Sequence, residues 1–141
     1  MKNLLHKAFS YYGIEEVPGE ENNPLILDFF HTIGHEWVQT ELTAWCSAFI
    51  NYLCKKHGYE RSGRLDARSW LRVGMDINIP QVGCIVVLWR ESITSWKGHV
   101  GFYINQDDKY VYIYGGNQDN SVCIKRYPID RVLGYRKLKK L

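Results

Sequence analysis

Residues 43–58 read TAWCSAFINYLCKKHG, and this stretch decides the fold. Cys46, Phe49, Ile50, Leu53 and Cys54 recur at i, i+3, i+4, i+7 and i+8, the spacing of one buried helical stripe. Thr43 is a suitable N-cap, Lys55, Lys56 and His57 occupy the last turn, and Gly58 is placed to end the helix. Upstream, Leu4 to Ile14 predicts a short helix closed by a turn at Val17-Pro18-Gly19. Pro24 opens a second helix through Ile33, with the proline in the first turn and Gly34 behind it. Downstream, Ala67 to Val73 predicts another short helix ending at Gly74.

After Pro80 the hydrophobic period changes. Cys84 to Trp89 is an apolar run of strand length. Val100, Phe102 and Ile104 alternate, as do Val111 and Ile113, and Asp107-Asp108 marks the turn between them. Val122 with Ile124 and a segment from Val132 to Leu138 bring the count to about five strands. Helices first and consecutive antiparallel strands after them predict an α+β fold, one domain over residues 1–141.

The 141 residues carry 18 basic and 15 acidic side chains, a formal charge of +3, which is too weak to argue a nucleic-acid partner. No apolar run approaches the roughly 20 residues of a membrane span, so no membrane insertion is expected. Met1 to Gly13 lacks an apolar core followed by a small-residue cleavage site, so no secretory signal is read there. The four cysteines form no C-x-x-C pair. Cys46 and Cys54 would lie about 12 Å apart along one helix, too far for a disulfide.

Three residues suggest chemistry. Cys46 falls in the first turn of its helix, where the dipole and free N–H groups favour a thiolate. The same cysteine lies on the apolar stripe, so a core role stays open. Cys54, Cys84 and Cys123 read as core. His99, between Gly98 and Gly101 at the start of a strand, shares its face with Tyr103. The hairpin at Asp107-Asp108 brings Asn117 back beside it, where an amide could fix the imidazole tautomer. Gln118 is the alternative orienter, and Gly-Gly-Asn also suits a plain turn. Together they form a nucleophile, base and orienter suited to acyl transfer through sulfur. The Cys46 backbone N–H is a candidate oxyanion donor, with Gln39 and Thr40 as weaker candidates for a second. Trp45, Trp89, Trp96, Tyr103 and Tyr114 could wall a substrate groove, Trp45 serving equally well as packing.

These residues carry a resemblance. Thr43 to Asn51 is similar to the nucleophile helix of the papain-like NlpC and CHAP peptidoglycan hydrolases. The similarity continues through Ala67-Arg68-Ser69-Trp70-Leu71, Gly98 to Tyr103, Gly115-Gly116-Asn117-Gln118 and Leu133-Gly134-Tyr135-Arg136, from about Leu4 to Arg136. It implies a papain-like fold that cleaves amide bonds of cell-wall peptides without a cofactor. Cys46 would be nucleophile, His99 base and Asn117 the third polar residue, with Trp45, Tyr103 and Gln118 beside the substrate. The sequence departs from the family at Gly83-Cys84, where relatives carry Gly-Asp, and at Ala44, where Pro is frequent.

The expected partner is peptidoglycan, met by a monomer made in the cytoplasm and acting after release or secretion. Two settings fit: a phage endolysin released through a holin, or a secreted toxin held by an immunity protein. Rival readings are an inert wall- or carbohydrate-binding module on the same fold, and a cysteine acyl or amide transferase. Permuted transferases place His before Cys, the reverse of the order here. His31 and His35 are spaced for zinc, but Gly34 interrupts their helix and no third ligand is evident, so no metal is expected.

Overall fold

The computed structural model describes residues 2–17, 22–37 and 44–141. Three α-helices precede the sheet: α1 (Lys2–Ala8), α2 (Pro24–His31) and α3 (Cys46–His57). Six strands follow: β1 (Met75–Ile77), β2 (Ile85–Trp89), β3 (Gly98–Gln106), β4 (Tyr110–Gln118), β5 (Ser121–Pro128) and β6 (Val132–Lys137). They form one antiparallel sheet in the order β1-β6-β2-β3-β4-β5. The protein is therefore α+β, with one more strand than the alternation predicts. The additional strand, β1, is only three residues long and borders β6, too short to show a period of two.

Local chemistry accounts for the helix ends. Asn23 caps α2 by accepting the Leu25 N–H at 2.9 Å, with Pro24 in the first turn. The helix expected over Leu4–Ile14 stops at Ala8 and continues as a 3-10 turn over Phe9–Tyr11. Ala67–Arg72 is likewise a 3-10 helix. Helix α3 ends at Gly58, which adopts φ +75° and donates its N–H to Cys54 O. It begins at Cys46 with Trp45 as the preceding cap residue; the expected cap, Thr43, lies outside the described residues.

Every residue of α3 from Cys46 to Cys54 is buried, so the helix is the centre of the domain. One face of the sheet packs on it through Ile85, Val87, Val100, Phe102 and Tyr114. The opposite face carries a smaller cluster of Cys84, Val86, Leu88, Tyr103, Val111 and Ile113. Two polar residues sit inside the apolar helix and are fully bonded. Ser47 donates to Arg64 O at 2.6 Å and accepts the Trp70 indole N–H at 2.9 Å. Asn51 donates to Arg64 O and accepts the Gly63 N–H at 2.8 Å. This network ties α3 to the 62–64 loop and fixes the position of Cys46 on the first turn. All four cysteines are free thiols.

Candidate active site

Strand β3 carries His99 next to Val100, whose backbone acts on the Cys46 thiol at the start of α3. Tyr103 donates its N–H to Cys84 O across the β2 ladder at 2.7 Å. Backbone N–H groups alternate between neighbours along an antiparallel strand. Those of Gly101 and His99 therefore face β2, and that of Val100 faces β4. Pairing of β3 with β4 starts only at Phe102 opposite Tyr114. The backbone amides of Val100, and of Ser47 and Cys46 in the first turn of α3, each favour the thiolate form of Cys46.

Strand β4 carries a bulge on the far side of this stretch. Gly115 pairs with Cys123, yet Gln118 pairs with Ser121, so β4 holds one more residue than β5 across this interval. Asn117 takes a left-handed φ of +57°. Gly116 passes so close to Trp45 that an added Cβ would lie 2.6 Å from its ring. Without the bulge, strand parity would put Asn117 on the His99 side of the sheet. With it, Gln118 occupies that side.

Gln118 then meets His99. Its Oε1 lies 2.9 Å from His99 Nε2, while its Nε2 donates to Ile113 O at 3.1 Å and Cys123 O at 2.6 Å. Two carbonyls, which only accept, face the amide nitrogen, so its oxygen is the atom facing the ring. His99 Nε2 must carry the proton and donate it, which leaves Nδ1 with a free lone pair. The Tyr127 hydroxyl oxygen, 3.2 Å from Nε2, is a second acceptor, and its ring lies 5.0 Å from the imidazole.

Burial sets the charge state of both groups. Desolvation lowers His99 to about 4, with Arg90 and Lys125 adding to it and the Gln118 bond opposing it. Desolvation also pushes the Cys46 thiol up from its ordinary value, against the three amides and the Arg90 charge. The thiolate expected from the helix terminus is thus outweighed by burial, and at neutral pH the pair is thiol and neutral imidazole.

The other expected site residues fall as follows. Asn117 is half-buried and lines a cavity of about 180 Å³ beside His99, but Gln118 is the residue bonded to the imidazole. Trp45 is wholly buried, 6.0 Å from the Phe29 ring and against Gly116, so it packs the core and presents no surface to a groove. Tyr103 is 7% exposed and packs edge-on against Tyr135 in the second cluster. It shares the parity of His99, but its ring is packed against the Tyr135 side chain on that face. Tyr114 is buried and donates to Ala8 O at 2.6 Å. Trp96 is 72% exposed in the loop after β2. Trp89 lines the cavity. Gln39 and Thr40 lie outside the described residues. His31 ends α2 and His35 lies beyond it, its Nε2 3.1 Å from Gly63 O.

Sequence reasoning assigned no role to Tyr127, Arg90 or Lys125. The alternation of β5 could have placed Tyr127 and Lys125 on one face, but nothing in the sequence aligns that face with His99. No family model matches the chain, and no curated protein matches it.

Proposed function

We propose that the protein is a papain-like cysteine hydrolase that cleaves amide bonds of bacterial cell-wall peptidoglycan. The observation that carries the reading is the His99 imidazole, its Nε2–H given to Gln118 and its Nδ1 free, next in sequence to Val100, whose backbone amide favours the thiolate form of Cys46. The wall substrate rests on the resemblance of the Cys, His and Gly-Gly-Asn-Gln segments to the NlpC and CHAP hydrolases.

In this mechanism His99 Nδ1 takes the Cys46 proton as the sulfur attacks a substrate carbonyl. The resulting imidazolium stays held through Nε2–H by Gln118. The Cys46 N–H, at the first helical position, is a donor for the oxyanion. Collapse of the tetrahedral adduct breaks the C–N bond. His99 returns the proton to the leaving amine, and a thioester remains on Cys46. Water, deprotonated by His99, hydrolyses the thioester to a carboxylic acid and restores the thiol.

One observation favours a second reading. A buried thiol with a raised pKa is also what an inert wall-binding module on the same fold would carry. Incubation of wild type and Cys46→Ala with purified peptidoglycan, read by mass spectrometry of the soluble fragments, separates the two. Fragments from wild type alone support the hydrolase, and their masses name the bond. Retention of both proteins on the wall without fragments supports the binding module. Equal release by both overturns Cys46 as nucleophile.

A further inference from the structure

The segment Ala67-Arg68-Ser69-Trp70-Leu71 has no part in the chemistry proposed above, yet two of its side chains reach the two halves of the catalytic pair. It lies in the 3-10 helix Ala67–Arg72. On one side the Trp70 indole N–H donates to Ser47 Oγ at 2.9 Å, and Ser47 directly follows Cys46 in α3. On the other side Arg68 reaches the loop of residues 90–97, which joins β2 to β3 and runs into Gly98 and His99. Arg68 Nε donates to Lys97 O at 2.8 Å, Nη1 to Ile93 O at 2.6 Å and Nη2 to Ser92 O at 2.7 Å. The contact continues along the arginine stem. A Cβ at Gly98 would stand 3.2 Å from Arg68 Cγ, 3.5 Å from Ala67 Cβ and 2.7 Å from Leu88 O. The 3-10 helix therefore rests on the residue that precedes His99, and a glycine there leaves room for it.

The backbone at this end of β3 has a strand neighbour on one side only. Gly98 to Gly101 pair with β2, while pairing with β4 begins at Phe102. The 90–97 loop is closed by a long bond from Arg90 N–H to Lys97 O, 3.3 Å, on the same carbonyl that Arg68 Nε engages. Glu91 holds a left-handed φ of +75°, which a non-glycine residue keeps where its surroundings enforce it. The Glu91–Lys97 ion pair at 2.9 Å is solvent-exposed and adds little. Arg68 supplies the firmer hold. It takes part in no ion pair among the described residues, and its planar fork engages three carbonyls of one loop.

We infer that Arg68 is a positioning residue for His99, and that with Trp70 it makes this 3-10 helix a bracket setting the separation of base and nucleophile. The inference rests on the hydrolase reading and adds to it a residue that acts through the backbone of residues 97–99. Without the Arg68 fork the ring moves relative to Gln118 and to the sulfur. Turnover then falls while ground-state binding is kept.

The test reads the imidazole as well as turnover. In nitrogen-15 spectra at pH 7, wild-type His99 is expected to show a protonated Nε2 and a bare Nδ1, assigned by their loss in His99→Gln. In Arg68→Ala the two shifts should converge, and the Nε2 proton should exchange with water at least about tenfold faster. With solubilised peptidoglycan fragments, kcat should fall about tenfold and KM stay within about twofold. Arg68→Lys keeps the charge without the fork and should fall between the two. Arg64→Ala, which removes a neighbouring exposed cation, should match wild type. Urea melts of each variant fix the native baseline, on which a purely structural residue would leave the ring signals unmoved. Ring signals indifferent to Arg68→Ala overturn the bracket, as does a rise in KM with kcat unchanged. If Arg68→Ala does not fold, the same readings on Arg68→Lys decide. A ring that responds to Arg68 in a protein that cleaves no wall removes the hydrolase and leaves the bracket. Cleavage with an indifferent ring does the reverse.

Discussion

His99 Nε2 and Gln118 Oε1 lie 2.9 Å apart, and the Gln118 amide is locked by carbonyls on its other side. Gln118 is therefore the group that sets which imidazole nitrogen is free. Gln118→Ala should lower kcat about 10²-fold, the lower end of what a positioned acid–base contributes, while Asn117→Ala should stay within about threefold. Steady-state hydrolysis of solubilised wall peptides checks both. An Asn117→Ala loss matching that of Gln118→Ala would return the orienting role to Asn117.

The depressed pKa of His99 makes stability depend on acid. Above the ordinary histidine value of 6.5, the ring is neutral in both folded and unfolded chains and contributes no slope. Between 6.5 and about 4 the unfolded chain binds a proton that the folded chain does not. Stability should therefore fall as pH drops through this window and level off below it, by roughly 3 kcal/mol at most. Urea unfolding at pH 7, 5.5 and 4 measures it. His99→Leu should lose that component of the slope, and an unchanged slope in this variant would exclude His99 as its source.

Cys46 is expected to be a slow thiol in the absence of substrate. Desolvation raises its pKa, so folding disfavours the thiolate most where a free thiol would already ionise. Alkylation by iodoacetamide at pH 7 should run at least tenfold slower at Cys46 than in a short peptide, with the rate still rising above pH 9. Mass-spectrometric mapping of the modified cysteine gives the rate. Fast alkylation at pH 6 would instead indicate a thiolate–imidazolium pair.

Gly116 and Trp45 should be energetically coupled. A Cβ at residue 116 would stand 2.6 Å from the indole and 3.2 Å from Phe49 Cβ, within a core that cannot yield by that much. Gly116→Ala is expected to cost about 1–3 kcal/mol. Trp45→Leu removes the clashing ring, so the double variant should be more stable than the sum of the two singles. Denaturant melts of the four proteins complete the cycle, and simple additivity would mean that the two residues do not press on each other.

The sequence made some features legible and hid others for definite reasons. Helix α3 was readable because its stripe is long and Gly58 marks its end. Strands β2 to β6 were readable from alternation and from the Asp107 turn, where the Asp107 carboxylate accepts the N–H groups of Lys109 and Tyr110. The tertiary covering of a face was not. Tyr103 has the right parity for a groove but lies under Tyr135, and Trp45, next to the nucleophile in sequence, is turned into the core. The choice between Asn117 and Gln118 depended on a bulge, and Gly-Gly-Asn-Gln fits a bulge and a plain turn equally well. The cations lining the cavity beside His99 were invisible because Arg90, Lys125 and Arg131 come from separate segments.

The bulge has a consequence for how the site tolerates change. A single additional residue between Gly115 and Gln118 decides which amide faces the imidazole, so the site is encoded in the length of this segment as well as in its composition. Deleting Asn117 would leave every proposed functional group except Asn117 itself in the chain. Regular pairing of the shortened strand would keep Gln118 on the parity of Ile113 and His99, so the bulge residue could be lost without turning the orienting amide away. A chain that kept all of these residues but paired them without the bulge would present Asn117 to the imidazole and turn Gln118 to the other face.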